Sequence, residues 1–147
     1  MKLELRHTAD GSATFYIPEM DEQYHSINGA FTESKHVFIE KGFNFIESSN
    51  SVILEIGFGT GLNALLTAHF AAISKRNVFY ITVDNYPLAN SWVEQLNYEE
   101  MLPERERFLF KSIHECRWDV PMQLTAAFRL LKIKADITKH DWKPPLG

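Results

Sequence analysis

The sequence predicts an α/β protein built on a parallel sheet, and three observations carry that reading. The run Val52-Ile53-Leu54-Glu55-Ile56 is short and rich in β-branched residues, as expected of a strand covered on both faces. Gly57, Gly59 and Gly61 follow at alternate positions, and then Leu62, Leu65, Leu66, Phe70 and Ile73 recur at helical spacing. Two more strand-like runs, Val78 to Val83 and Phe128 to Ala135, are separated from the first and from each other by helical patterns. A strand, a glycine turn and a helix start in that order leave free N–H groups at the sheet's C-terminal end, where such sheets bind ligands.

Taken in order, the chain opens with apolar or alternating runs at Leu3 to His7 and Ala13 to Ile17 around Asp10-Gly11, which predicts a β-hairpin over residues 2–17 ended by Pro18. Residues 21–31 are polar with interspersed aromatics and read as a structured loop. Thr32 is placed as the N-cap of a helix running to about Phe45, with Val37, Phe38 and Phe45 on its buried face. The helix after the glycine turn is expected to stop near Ser74-Lys75-Arg76-Asn77. Pro87 is taken as the first residue of the next helix, whose apolar face is Leu88, Trp92 and Leu96. A helix is expected near 104–116, a third strand over 128–135, and a loop over the tail from His140 to Gly147.

The 147 residues suffice for about one domain. We divide them into an N-terminal hairpin, loop and helix (1–50) and the first half of a nucleotide-binding domain (51–147). Three core strands are half of a doubly wound sheet, so the chain is expected to be part of a longer protein or to have its sheet completed by another chain. The exposed sheet edge then offers a route to self-association. No apolar run approaches the roughly 20 residues that span a bilayer. The N-terminus carries no apolar signal segment and Cys116 is the lone cysteine, so a cytoplasmic protein is expected. A net charge of −4 weighs against nucleic-acid binding without excluding a local basic patch.

The acids around the glycine turn narrow the ligand. The spacing Gly57-x-Gly59-x-Gly61 is not the dinucleotide fingerprint, and there is no phosphate loop. Glu55, two residues before the first glycine, would repel a pyrophosphate and suits an ammonium group. Asp84 closes the second strand, where a carboxylate can accept both hydroxyls of a ribose. Asp136 closes the third, in position to accept from an exocyclic amine such as that of adenine. Amine, ribose and adenine together describe S-adenosyl-L-methionine. Plainer readings stand beside these: Asp84 as a helix cap, Asp136 as a loop acid, His25 and His36 as hydrogen-bonded or surface histidines. No His, Cys or acid spacing suggests a metal.

Glu55-Ile56-Gly57-Phe58-Gly59-Thr60-Gly61 resembles motif I of the Rossmann-like class I methyltransferases that use S-adenosylmethionine. Ser26-Ile27-Asn28-Gly29-Ala30-Phe31-Thr32-Glu33-Ser34-Lys35-His36-Val37-Phe38-Ile39, together with Gly57-Phe58-Gly59-Thr60-Gly61-Leu62-Asn63, resembles the bacterial tRNA wobble-uridine methyltransferases of the MnmC/MnmD type. The resemblance implies N-methylation of 5-aminomethyl-2-thiouridine at tRNA position 34, with tRNA as partner. It implies a cofactor site at Glu55, Gly57, Phe58, Gly59, Thr60, Gly61, Asn63, Asp84 and Asp136, and a substrate pocket near Tyr24, Ser26, Glu33 and His36. Nothing in the chain resembles the flavin-dependent oxidase half of the fused enzymes. The family's Asp-Ala-Phe-x-Pro motif, whose acid faces the substrate amine, is not reached before Gly147. The catalytic acid is thus expected beyond the chain, with Glu33 and His36 as weak stand-ins, and the piece alone is expected to be inactive. Two alternatives remain: a methyltransferase or aminopropyltransferase acting on another small amine, and a non-catalytic cofactor-binding module.

Overall fold

The computed structural model describes residues 1–139; the tail expected as a loop, 140–147, lies outside them. The elements in order are β1 (Glu4–His7), β2 (Ala13–Ile17), β3 (Glu22–Gln23), α1 (Ala30–Ser34), β4 (Asn50–Ile56), α2 (Leu62–Ser74), β5 (Asn77–Asp84), α3 (Asn90–Val93), α4 (Phe108–Glu115), β6 (Met122–Thr125) and β7 (Phe128–Lys134). Strands β1, β2 and β3 form a small antiparallel sheet. The second sheet has the order β4-β5-β7-β6, with β4, β5 and β7 parallel and β6 antiparallel to β7.

The hairpin and the three expected core strands are present. The sheet is mixed rather than wholly parallel, because Met122–Thr125 turns back on β7 through Ala126 and Ala127. Its short, partly exposed sequence carries no clear alternation. Glu22–Gln23, read as loop, pairs with the end of β2.

Thr32 is not the cap of the first helix, which starts two residues earlier at Ala30. Its first three amides are capped from the hairpin turn instead: Ala30 N–H donates to Thr8 Oγ1 at 3.0 Å, Phe31 N–H to Ser12 Oγ at 3.0 Å, and Thr32 N–H to Asp10 Oδ2 at 2.9 Å. Burial raises the Asp10 carboxyl, but hydrogen bonds from Ser12 and Thr32 outweigh it and hold the group well below the usual carboxylate range. After Ser34 the helix widens into a π-helical stretch, Lys35–Glu40, followed by a tight 3₁₀ turn at Phe43–Phe45. That widening shifts the buried face. Val37 and Phe45 are 59% and 84% exposed, and Ile39 and Phe43 take the core positions expected of them. Pro87 likewise precedes its helix rather than starting it; α3 is one turn, Asn90–Val93.

The core lies on one face of the large sheet. Ile53, Val78, Tyr80, Phe128 and Leu130 meet Leu62, Leu65, Leu66 and Ala68 of α2 and Leu109, Phe110 and Ile113 of α4. The opposite face of β4 is open, with Val52, Leu54 and Ile56 being 59%, 46% and 53% exposed. The strand expected to be covered on both faces is covered on one, and β4 is a free edge among the described residues. The hairpin is fixed to the rest by Asn97, whose Oδ1 accepts from Ala13 N–H and whose Nδ2 donates to the Gly11 carbonyl, and by the Tyr98 hydroxyl on the Ala13 carbonyl.

Candidate functional site

The glycine turn leaves the sheet at the C-terminal end of β4. Gly57 N–H extends the ladder by donating to the Val83 carbonyl at 2.8 Å. Gly57 has φ +89, and a Cβ there would meet nothing within 4 Å, so this backbone borders open space. Gly61 has φ +76 and is boxed in: a Cβ would lie 2.9 Å from both His114 Nε2 and Phe58 Cζ. The turn is braced from behind. His114 Nε2 donates to the Thr60 carbonyl at 3.0 Å, and Lys132 Nζ donates to the His114 carbonyl at 2.9 Å between the rings of Phe58 and Trp118. Burial pushes His114 down to about 4, so its imidazole is neutral near pH 7. From the front, Gly59 N–H donates to Asp84 Oδ2 at 3.0 Å, while Asp84 Oδ1 accepts from Tyr86 N–H at 2.7 Å.

These groups form one side of a cavity of about 560 Å³. The other side comes from β3, the residues after it, and the helix that follows: Gln23, Tyr24, His25, Glu33, Ser34 and Phe38. His25 spans the two sides, with Nδ1 3.0 Å from Thr14 Oγ1 and Nε2 3.5 Å from Thr60 Oγ1. Burial lowers its pKa, partly offset by Glu33.

Glu55 sits at the floor, 6% exposed. Its Oε1 accepts from Asn63 Nδ2 at 3.1 Å and its Oε2 from Thr82 Oγ1 at 2.8 Å. Burial raises the carboxyl to about 7 against the opposing pull of those two bonds. The first turn of α2 has no side-chain cap, which leaves its amide end directed at the turn.

Two features define what the cavity can take. Its wall holds four carboxylates, Glu22, Glu33, Glu55 and Asp84, and no lysine or arginine. Among the described residues three buried side-chain polar atoms have no hydrogen-bond partner, Gln23 Oε1, Asn63 Oδ1 and the Tyr80 hydroxyl, and the first two belong to residues of this wall. These atoms are closed to water as the side chains lie, and a buried acceptor left unpaired costs about 1–3 kcal/mol.

The residues singled out from the sequence divide cleanly. Tyr24, Glu33, Glu55, Gly57, Phe58, Gly59, Thr60, Asn63 and Asp84 line the cavity. Gly61 lies just behind it. Ser26 is outside the wall, where its N–H donates to Glu33 Oε2 at 2.7 Å and so orients that acid. His36 points outward and pairs with Glu40 at 3.0 Å. Asp136 is also outside: β7 ends at Lys134, and the carboxylate closes a local turn on the Thr138 N–H and hydroxyl. Glu22 and Gln23 enter the wall unanticipated, because residues 21–31 carry no strand pattern and their orientation depends on pairing with β2, while His25 enters it as the hydrogen-bonded histidine of its plainer reading.

No family model matches the chain. Curated relatives do. The tRNA 5-methylaminomethyl-2-thiouridine biosynthesis bifunctional protein MnmC of Legionella pneumophila (strain Corby) is 38% identical over 86 residues, covering 50% of this chain and 13% of that protein. The same-named proteins of Magnetococcus marinus and Pseudomonas putida (strain KT2440) are 37% and 32% identical over 82 and 104 residues, covering 51% and 58% of this chain and 12% and 16% of theirs. This chain is similar to the MnmC proteins. Among solved structures, MNMC2 from Aquifex aeolicus superimposes with a TM-score of 0.66 at 28% identity, over 92% of this chain and 43% of that one. The chain thus spans about an eighth of the curated relatives' length and under half of the MNMC2 chain. The family resemblance read from the Glu55–Asn63 and Ser26–Ile39 segments is the one these relatives carry.

Proposed function

We propose that the glycine-turn cavity binds S-adenosyl-L-methionine and that the chain forms the cofactor-binding part of an enzyme that N-methylates 5-aminomethyl-2-thiouridine at position 34 of tRNA. The sheet is then the first half of a Rossmann-like methyltransferase domain, working in the cytoplasm where its tRNA is. The observation that carries this reading is the chemistry of the wall: four acidic side chains, with Glu55 buried at the floor, and no lysine or arginine. A cation with N–H donors fits such a wall, whereas a pyrophosphate-led cofactor does not. The MnmC relatives supply the substrate class.

In this reading Glu55, oriented by Asn63 and Thr82, holds the cofactor's ammonium. Asp84, already braced by two amides, keeps lone pairs for the ribose hydroxyls. Open space beside Gly57 lets the main chain approach the ligand closely. When bound, the cofactor supplies a methyl group activated by a sulfonium. The protein positions the acceptor nitrogen and keeps water away from it with Tyr24 and Phe38. Glu33, oriented by the Ser26 amide, is the acid of the opposite wall and can take the proton that the nitrogen releases.

The test is calorimetry with S-adenosylhomocysteine, which keeps the ammonium, ribose and adenine. Saturable binding that is stronger at pH 8 than at pH 6, where Glu55 is protonated, and weakened at least tenfold in Asp84→Asn is expected. Binding of NAD in preference to S-adenosylhomocysteine would overturn the reading. The acidic wall also suits a methyltransferase or aminopropyltransferase acting on another small amine, and labelled methyl transfer to tRNA lacking the modification separates the two.

A further inference from the structure

We infer that Tyr80 is a positioning residue for the cofactor's ammonium: its hydroxyl donates to Glu55 when that carboxyl ionises, and so keeps the anchor charged at neutral pH. This rests on the S-adenosyl-L-methionine reading above. Tyr80 is wholly buried on β5, and its hydroxyl has no hydrogen-bond partner as the side chains lie. A hydroxyl closed to water and left unpaired calls for a partner inside the protein. The strand register points to one. Glu55 pairs with Thr82 and Ile53 with Tyr80, so Tyr80 and Thr82, two residues apart, share the sheet face of Glu55, and Tyr80 is its diagonal neighbour. Thr82 already donates to Oε2 and Asn63 to Oε1, which leaves lone pairs for a third donor. The Tyr80 ring packs against Phe38 and Phe128, with centroids 6.3 Å and 5.7 Å away, which limits its swing toward other partners.

The electrostatics of the pair agree. Burial first, and the Glu55 charge second, hold the Tyr80 hydroxyl well above the ordinary phenol range, so it keeps its proton and can donate. Burial raises Glu55; Thr82, Asn63 and Tyr80 pull it back, and Asp84 at the end of β5 pushes it up. Glu22, Glu33 and His25 stand on the opposite wall of the cavity. A hydrogen bond to an ionised acceptor is roughly twice as strong as one between neutral groups, so the hydroxyl favours the charged form of Glu55. That form is the one an ammonium pairs with. The hydroxyl acts through Glu55 and does not touch the ligand. Once Glu55 has ionised, the bond is the same with and without ligand. Tyr80 therefore changes the pH at which the site binds, and leaves the affinity at high pH unchanged.

The experiment compares the whole wild-type chain with Tyr80→Phe, which deletes the hydroxyl and leaves the core filled. The Glu55 carboxyl is followed by carbon-13 NMR, with Glu55→Gln to assign its signal, and S-adenosylhomocysteine binding is followed by calorimetry from pH 6 to pH 8.5. In Tyr80→Phe the Glu55 titration is expected to move to higher pH. S-adenosylhomocysteine is expected to bind the variant about threefold more weakly than wild type at pH 6.5 and within about twofold of it at pH 8.5. An unmoved Glu55 titration would overturn the assignment with the cofactor reading intact. So would a loss of affinity by the same factor at every pH, which is what lost packing alone would give. Failure of wild type to bind S-adenosylhomocysteine at all would instead remove the cofactor reading and Tyr80's role toward the ammonium, while the NMR titration still decides the bond between Tyr80 and Glu55.

Discussion

Burial raises the Glu55 carboxyl to about 7, whereas in an unfolded chain it titrates near the ordinary glutamate value of about 4.3. Between those values the folded protein keeps a proton that the unfolded chain has released. The group's contribution to stability therefore falls as pH rises from about 4.5 to about 7 and is flat above that. His25 and His114, both lowered by burial, act with the opposite sign below about 6.5, so the comparison must be made within a pair of proteins. Urea unfolding across this range is expected to show wild type losing about 3 kcal/mol relative to Glu55→Gln between pH 4.5 and 7.5. Parallel pH profiles for the two proteins would show that Glu55 ionises normally. On the proposed reading, a carboxyl poised in this way suits the cofactor's ammonium, whose arrival favours the ionised form of Glu55 and pairs its charge.

At the scale of elements, the N-terminus of α1 depends on side chains about twenty residues upstream. Asp10 alone receives Thr8 Oγ1 at 2.8 Å, Ser12 N–H at 2.9 Å, Thr32 N–H at 2.9 Å and Thr32 Oγ1 at 2.8 Å. Asp10→Ala is expected to destabilise the protein by about 2 kcal/mol, read as a lower denaturation midpoint with an unchanged slope. Because α1 leads into the helix that carries Phe38, the same variant should also weaken S-adenosylhomocysteine binding. These elements show what the sequence discloses and what it withholds. Strand β4, the glycine turn, α2, β5 and β7 follow from local patterns, because β-branched runs, glycines and helical spacing act within a few residues of one another. The cap of α1 does not, since a threonine in a good cap context at position 32 loses to three acceptors delivered by tertiary contact. In the candidate site, Glu55 and Asp84 are legible as acids at strand ends. Gln23 is not, because the two-residue strand that carries it exists only through its pairing with β2. Asp136 shows the converse: a strand-end acid with the right order in the chain, held out of the cavity by a local turn on Thr138.

For the whole molecule, the asymmetry of the large sheet matters most. One face is covered by α2 and α4, while Val52, Leu54 and Ile56 form an open apolar stripe along β4, an edge strand among the described residues. Parallel strands are ordinarily covered on both faces, and an open, flat edge is a template for pairing with another chain. Light scattering is expected to show concentration-dependent association that Leu54→Lys reduces without lowering thermal stability, because the residue loses few contacts within its own chain. Equal masses for wild type and variant at all concentrations would rule out this face as the contact. The contacts of Asn97 and Tyr98 with the hairpin carry a consequence for the order of events during synthesis. The hairpin is made before the rest of the described residues, yet its backbone at Gly11 and Ala13 is secured by residues more than eighty positions later. Closing so long a loop is slow compared with forming a local turn. The hairpin that carries one wall of the cavity is thus fastened by residues that lie beyond the glycine turn in the chain, so that wall cannot be fully secured before the turn it faces has been made.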